Sequence, residues 1–285
     1  MNVERIARIR LLCCRMPILV WLVAAASIAP FPVAGQCETN QPDQPIVPSG
    51  RTLLFNGRDL DGLYTFLEDS KYGDPRKVFT VRDGTLVISG DGYGGIATRK
   101  SYANYRLVCD FRWGVRTWHD RRERARDSGI LVHGSGADDA FQRRWPSSFE
   151  AQIIEGGLGD LLVLNANQRS PHATLSSKIT RSSDGECTWN KNGSKQTFTS
   201  GRVNWFGRDD RWEDRLGFRG SNDVDSRDSW TRMEVICNAD LIRVLVDGVM
   251  VNEATDVSPN SGRILLQCEC AEIFIKRWEL WPLDP

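Results

Sequence analysis

The chain is a succession of short apolar segments separated by turn residues, and this pattern limits the folds that it can adopt. The segments are rich in Val, Ile, Phe and Tyr, with Asp-Gly, Asn-Gly and other glycine-containing pairs between them. No stretch keeps the apolar spacing of an amphipathic helix over three turns. The clearest segments are 78–81, 85–89, 105–113, 129–133, 149–155, 232–237, 242–246, 249–252, 263–267 and 272–281. The sequence therefore predicts an all-β fold, most simply two packed antiparallel sheets.

The first 35 residues differ from the rest and predict a secretory signal peptide. Four arginines precede an apolar run that is interrupted by Pro30 and Pro32, and small residues follow at 33–35. The run falls short of the roughly 20 apolar residues that a membrane-spanning helix needs. We therefore expect a periplasmic or secreted protein with no membrane span after cleavage, a linker at 36–50 and a single domain at 51–285.

Charge and cysteine content exclude some classes of partner. The chain has 37 basic and 37 acidic residues; removing residues 1–35, with four arginines and one glutamate, leaves 33 and 36, a net charge of −3. This balance does not favour a nucleic-acid partner. The six cysteines that remain match no zinc-ligand spacing, so we expect small buried residues with room for one or two disulfides. The sequence carries no signal for an oligomeric state.

Three polar residues crowd into one apolar segment, Phe-Glu-Ala-Gln-Ile-Ile-Glu, at 149–155. In a strand Glu150 and Gln152 point to one face, and in the segment DSGILVH the residues Asp127 and His133 also share a face. Carboxylates on a half-buried strand are costly unless they are paired, ligated or used. We interpret the two segments as parts of one functional face; the alternative is an exposed face with ordinary polar residues.

The second glutamate of this segment, Glu155, is out of phase with Glu150, but a β-bulge would bring both onto one face. The order Glu-Ala-Gln-Ile-Ile-Glu then resembles the E-x-D-x-x-E signature of laminarinase-like retaining glucanases, with Gln152 in place of the aspartate. In that chemistry two carboxylates about 5–5.5 Å apart serve as nucleophile and acid/base. A retaining glycosidase is therefore one alternative, with Glu155 at the substrate.

Two further features are candidate parts of a sugar site. Aromatic rings give sugars flat apolar platforms, and Trp205, in VNWFGRDDRW, is the tryptophan that we expect to line such a site. The arginine-rich segment 116–127 is either a solvated loop or a lid beside a cleft, because it leads directly into DSGILVH.

Eight motifs in order resemble the 3-keto-disaccharide hydrolase domain family. They are LFNGRDLDGL, VRDGTLVISG, SYANYRLVCDFRW, DSGILVH, FEAQIIEGG, SWTRMEVIC, LIRVLVDGVMVN and GRILLQCECAEIFIKRWEL, and they run from about residue 53 to residue 282. The resemblance implies a concanavalin A-like jelly-roll sandwich and activity on glycosides whose glucose C3 hydroxyl has been oxidised to a ketone. The expected partner is a small carbohydrate.

The implied reaction assigns roles to the polar face. A C3 ketone acidifies the proton on C2, so a base can remove it and the substituent at C1 can leave by β-elimination. We expect Glu150 to be the base or a metal ligand, His133 an acid or metal ligand, and Asp127 and Gln152 to orient substrate or metal. A divalent metal, held by Glu150 and His133, would suit the enolate oxygen.

The chain departs from the family pattern at three positions: Leu63 stands where a tryptophan is usual, Asp127 replaces an asparagine and His133 replaces an arginine. The last two change the charge at the site. A lectin-like sugar-binding module without catalysis is the other alternative to an enzyme, and it would need neither carboxylate.

Overall fold

The structure, a computed structural model, describes residues 44–166, 172–226 and 229–283. The predicted signal peptide and the first part of the predicted linker lie outside these ranges. The described residues form a short 3-10 helix, His119–Arg122, and eighteen strands. The strands are β1 Thr52–Leu53, β2 Leu63–Leu67, β3 Phe79–Arg82, β4 Thr85–Ile88, β5 Tyr93–Thr98, β6 Tyr105–Thr117, β7 Asp127–Ser135, β8 Ser147–Ile154, β9 Leu161–Leu164, β10 Thr174–Arg181, β11 Cys187–Trp189, β12 Ser194–Phe198, β13 Gly201–Val203, β14 Thr231–Asn238, β15 Leu241–Val246, β16 Val249–Ser258, β17 Arg263–Glu269 and β18 Ala271–Trp281.

The strands form two antiparallel sheets. The larger has the order β11-β10-β16-β15-β14-β6-β18-β4-β3, with β1 beside β18 and β12 beside β10. The smaller has the order β13-β9-β8-β7-β17-β5-β2. From β4 to β7 the chain changes sheet at every connection, and the described residues belong to one compact unit. The architecture confirms the predicted all-β, concanavalin A-like jelly-roll sandwich of two antiparallel sheets.

The main core lies between the two sheets and follows the two-residue period of the strands. In β8 the side chains of Phe149, Ala151 and Ile153 point into this core. Tyr105 and Trp278 of the larger sheet meet them there, fully buried. Burial of such large apolar side chains contributes about 1.5–3 kcal/mol each. The alternation therefore leaves Glu150 and Gln152 on the other face of the smaller sheet.

That outer face is itself largely covered. A second apolar cluster on it joins Leu131 and Leu265 with Trp145 and Phe141, which belong to the segment 136–146. The indole Nε1 of Trp145 donates a hydrogen bond to the Gly94 carbonyl oxygen at 2.8 Å. We call segment 136–146 the strap. Because of this cover β8 is buried along its whole length, on both faces.

Other parts of the described chain bear on the remaining expectations. Cys109, Cys187, Cys237, Cys268 and Cys270 are buried as expected, and all five are free thiols rather than disulfides. No helix in the described ranges is long and apolar enough to span a membrane. Ile46 pairs with Tyr102, so contacts with the sandwich begin before the expected domain start at residue 51.

Candidate active site

Strand register brings five polar side chains together on the outer face of the smaller sheet. Asp127 of β7 pairs with Glu269 of β17, and Gly129 pairs with Gln152 of β8. Glu150 stands two pairs further along the register, opposite Leu131. Gln267 lies between Leu265 and Glu269 and faces the same side. Asp127, Glu150, Gln152, Gln267 and Glu269 form what we call the acidic cluster.

Glu150 lies at the centre of the acidic cluster and is only 3% exposed. Burial and then the neighbouring charge of Asp127 raise the pKa of Glu150 to about 8. The charge of Arg202 and a hydrogen bond from Gln267 act in the opposite direction. A carboxyl group with this pKa exchanges its proton near neutral pH, as a general base must.

The missing side chain of Gly129 makes room for the cluster. A Cβ at this position would lie 2.3 Å from Oε1 of Glu150 and 2.6 Å from Oε1 of Gln267. Carbon and oxygen atoms do not approach so closely, so only glycine lets these two side chains meet across β7. The glycine of the DSGILVH segment is therefore part of the site.

Arg121 ties Asp127 and Glu269 together at the point where β7 begins and β17 ends. Its Nη2 donates to Oδ2 of Asp127 at 2.5 Å and lies 3.5 Å from Oε1 of Glu269. Its Nη1 donates to Oδ1 of Asp214 at 3.1 Å. The Arg121 side chain is only 10% exposed. One buried guanidinium thus balances several carboxylates, and the ion pairs connect the 3-10 helix to two strands and a loop.

The other two carboxyl groups of the cluster also hold protons more tightly than usual. Burial raises the pKa of Asp127 to about 6, against the opposing charge of Arg121. Burial, followed by the charges of Asp127 and Glu150, raises the pKa of Glu269 well above its ordinary value. The side chain of Glu269 retains 14% exposure. Glu269 therefore holds its proton to a higher pH than an ordinary glutamate, and it is the carboxyl group of the cluster that solvent reaches most readily.

Two buried amide oxygens in the cluster lack hydrogen-bond donors among the described residues. Gln152 donates through Nε2 to Oδ1 of Asp127 at 2.9 Å, which leaves its Oε1 unpaired. Oε1 of Gln267 is unpaired as well. A buried carbonyl without a donor costs about 1–3 kcal/mol. A ligand rich in hydroxyl groups, such as a sugar, would supply the missing donors.

Arg202 provides the positive charge on the β9 side of the cluster. It lies on β13 opposite Leu162, which in turn pairs with Glu150. Nη1 of Arg202 donates to Oδ2 of Asp160 at 3.2 Å, and the guanidinium of Arg208 bonds to the same oxygen. The Arg202 charge lowers the pKa of Glu150 and of Asp127. Arg202 can therefore stabilise negative charge that develops beside Glu150.

The structure does not bring His133 to this face. The register of β7 shifts after Val132, and His133 has a left-handed φ of 57°, so its ring turns into the core between Tyr105 and Phe149. Nδ1 lies 3.0 Å from the Pro259 carbonyl oxygen and so carries the proton. Burial lowers the pKa of His133 to about 4. The expectation that His133 shares a face with Asp127 was wrong, because a bulge breaks the two-residue period.

Glu155 and Trp205 also lie away from the acidic cluster. The carboxylate of Glu155 accepts hydrogen bonds from the backbone and guanidinium of Arg126 and from the Gly217 backbone N–H. It is a paired structural carboxylate, not a second carboxylate beside Glu150. Trp205 is buried in the main core and does not line the site. Of the expected residues, the structure brings together Asp127, Glu150 and Gln152.

The proposed metal ligands do not form a ligand set. Glu150 and His133 point to opposite faces of the smaller sheet. Nowhere within residues 44–166, 172–226 and 229–283 do three or more His, Cys, Asp or Glu side chains stand in positions that could hold a metal ion. The donor atoms of this site therefore do not fit the divalent metal that we expected.

Sequence reasoning missed Gln267, Glu269, Arg121 and Arg202. Gln267 and Glu269 alternate with apolar residues in LLQCEC, a signal that parallels Glu150 and Gln152 in FEAQII. Arg121 belongs to a charged segment whose composition indicated solvent. No local pattern around Arg202 distinguishes it from other surface arginines.

The comparison with protein families agrees with a carbohydrate-active protein. A family model for the 3-keto-alpha-glucoside-1,2-lyase-like domain matches residues 50–280. No curated protein matches the chain.

Three solved structures are similar to this chain over most of their length. A candidate glycosyl hydrolase from Parabacteroides distasonis has 19% identity and a TM-score of 0.47, covering 82% of this chain and 94% of its own. A Bacillus licheniformis β-glucanase has 12% identity and a TM-score of 0.42, covering 82% and 97%. A LamA variant from Zobellia galactanivorans, solved with laminaritriose and laminaritetraose, has 12% identity and a TM-score of 0.42, covering 78% and 93%. Because the family model spans most of the sequence, the chain belongs to the family of 3-keto-alpha-glucoside-1,2-lyase-like domains.

Proposed function

We propose that the protein is an exported enzyme that cleaves 3-keto-glycosides by β-elimination at the acidic cluster, with water addition able to complete a net hydrolysis. The observation that carries the proposal is the buried Glu150 carboxyl, whose pKa of about 8 suits proton transfer near neutral pH. The export part rests on the N-terminal sequence alone.

In this mechanism Glu150 removes the proton from C2 of the sugar. The C2–H electron pair becomes the C1–C2 double bond, and the C1–O bond breaks with its electrons going to the leaving oxygen. Glu269, whose pKa is raised by burial and by the charges of Asp127 and Glu150, gives its proton to that oxygen. The products are an alcohol and a 3-keto-2-hydroxy-glucal. A proton leaves C2 and a proton reaches the leaving group, so the step is balanced.

The remaining cluster residues hold the sugar and its developing charge. The free Oε1 atoms of Gln152 and Gln267 accept hydrogen bonds from sugar hydroxyl groups. Arg202 stands on the same face as Glu150 and stabilises negative charge on the enolate oxygen. Asp127, fixed by Arg121 and Gln152, is a positioning residue that keeps the pKa of Glu150 high.

The testing experiment compares a 3-keto-glucoside with its unoxidised parent as substrates for the purified protein, following glycone and aglycone separately. We expect aglycone release from the keto sugar alone, unaffected by a chelator. Release from the parent sugar would instead favour a conventional glycosidase. Absence of release from both, with saturable binding of either, would favour a sugar-binding module.

A further inference from the structure

The edge of the smaller sheet carries a cavity of about 600 Å³ that the proposed reaction does not use. Tyr64 of β2 and Arg263 of β17 line it together with Tyr72, Arg99 and Asp138. Leu60, Leu63 and Ile96 supply an apolar part of its wall. We call this space the edge cavity. Its size fits one or two sugar rings.

The edge cavity lies well apart from the acidic cluster. Tyr64 and Glu150 belong to one row of paired residues that runs across β2, β5, β17, β7 and β8. Four strand-to-strand steps separate them, or about 19 Å at the usual spacing. The strap covers the middle of this row, where Trp145 packs on Leu131 and Leu265. A ligand in the edge cavity therefore does not touch Glu150.

One buried carboxylate organises the polar wall of the cavity. Oδ1 of Asp138 accepts a hydrogen bond from the Tyr64 hydroxyl at 2.7 Å and from Nη1 of Arg263 at 2.6 Å. Its Oδ2 accepts a hydrogen bond from the Tyr72 hydroxyl at 3.0 Å. These contacts fix both tyrosine rings and neutralise the charge of Arg263 within the wall.

Arg99 gives the cavity a positive charge that its own wall does not balance. Its guanidinium carbon lies 5.8 Å from the centroid of the Tyr64 ring, and in the described part of the chain it forms no ion pair. An arginine held over an aromatic ring presents its N–H groups in a plane that matches a carboxylate. Tyr72, which lines the same cavity, is 67% exposed, and its ring offers a platform for the apolar face of a sugar.

From this combination we propose that the edge cavity is a second binding site, specific for a sugar that carries a carboxylate, such as a hexuronate residue of a glycan. Arg99 binds the carboxylate, Tyr72 stacks on the ring, and the leucines contact its apolar edge. The site is independent of the chemistry proposed for the acidic cluster and would operate equally in a protein without catalytic activity.

The test measures binding of sodium methyl β-D-glucuronide and of methyl β-D-glucoside to the full chain by isothermal titration calorimetry. We expect saturable binding of the glucuronide that weakens at high salt, and much weaker binding of the glucoside. Arg99→Gln should weaken glucuronide binding by about fivefold or more, as for loss of a partly exposed ion pair. Arg82→Gln, an exposed arginine on β3 of the other sheet, should leave it unchanged.

Two further variants separate this site from the acidic cluster. Tyr72→Ala should weaken glucuronide binding, whereas Glu150→Gln should leave it intact. Equal affinity for glucuronide and glucoside, or full affinity in the Arg99 variant, would overturn the proposal. Loss of glucuronide binding in Glu150→Gln would also overturn it, because the ligand would then occupy the acidic cluster.

Discussion

Exchanging Glu150 for glutamine removes the candidate base while keeping its shape. Because burial already keeps this carboxyl largely protonated at neutral pH, Glu150→Gln resembles the resting side chain and should not lower stability. Turnover of the keto sugar should fall by at least about a hundredfold, the usual contribution of a general base. Steady-state kinetics measures the turnover of the variant, and urea unfolding measures its stability. If the variant keeps turnover within about threefold of wild type, Glu150 is not the base of the reaction.

Glu155, five residues further on, should give the opposite result. Its carboxylate accepts three hydrogen bonds from Arg126 and one from Gly217. Glu155→Gln leaves the Arg126 guanidinium with a neutral partner, so we expect a loss of about 2 kcal/mol in the free energy of unfolding. Turnover of the folded fraction should change little. A large loss of turnover with unchanged stability would instead restore Glu155 to a role in catalysis.

At the scale of strands, a substitution of Gly129 tests whether the contact between Glu150 and Gln267 across β7 is needed for activity. In Gly129→Ala the new methyl group would overlap Oε1 of Glu150 and Oε1 of Gln267. Both atoms end flexible side chains, so the strand can persist while the carboxyl and the amide are displaced. We expect a loss of about 1–2 kcal/mol in stability and at least about tenfold in kcat/KM. Gly50→Ala, with no atom within 4 Å of its new Cβ, is the matched control and should affect neither.

Arg121 connects the 3-10 helix to β7, to β17 and to the loop that holds Asp214. Arg121→Leu leaves two buried carboxyl groups without their cation, so we expect a loss of about 3 kcal/mol in stability. Since the Arg121 charge lowers the pKa of Glu269, its removal should also move the alkaline limb of the pH profile of kcat/KM to higher pH.

The control for this variant is Arg124→Gln, which changes a nearby arginine whose side chain is 55% exposed. Its ion pairs with Asp120 and Asp214 lie near the surface, so little change in stability or pH profile is expected. If the alkaline limb of the pH profile of kcat/KM does not move in Arg121→Leu, the role of Arg121 is structural only.

The strands also show which parts of the fold and of the site could be predicted from the sequence. Every apolar segment identified from the sequence overlaps a strand, and alternation correctly placed Glu150, Gln152 and Asp127 on one face, because strand period is a local property. Alternation failed at His133, where the bulge after Val132 reverses the face.

The rest of the site depends on contacts between distant parts of the chain. Glu269 joins the acidic cluster only because β17 pairs with β7, and no local pattern encodes that pairing. Arg121 was missed for a related reason. A run of charges indicates solvent unless buried carboxylates from other elements surround it, as Asp127 and Glu269 do here.

For the molecule as a whole, the acidic cluster makes the free energy of unfolding fall as pH rises, which is the reverse of the usual effect of carboxyl groups in ion pairs. Carboxyl groups in ion pairs, such as Asp69 with Arg76, have a lowered pKa and lose their stabilising effect in acid. Glu150 and Glu269 have raised pKa values, so the folded protein keeps protons that the unfolded chain releases. Their contribution is full below the ordinary glutamate pKa of 4.5 and is lost as pH rises through about 8 for Glu150.

This behaviour gives a prediction in a defined pH window. His133 acts oppositely, because its folded pKa is lowered from 6.5 to about 4. Most of its effect on stability is complete by pH 6.5, so the carboxyl groups dominate between pH 6.5 and 8. Over that range the free energy of unfolding should fall, by at most about 1.4 kcal/mol per pH unit for each proton retained. Urea unfolding at both pH values should show a smaller fall in Glu150→Gln than in wild type, whereas Glu213→Gln, at an exposed site, should match wild type. Parallel pH dependence in wild type and Glu150→Gln would mean that Glu150 is already ionised in the folded protein at pH 6.5. Its pKa would then not be raised, and a raised pKa could not explain how Glu150 acts as the base.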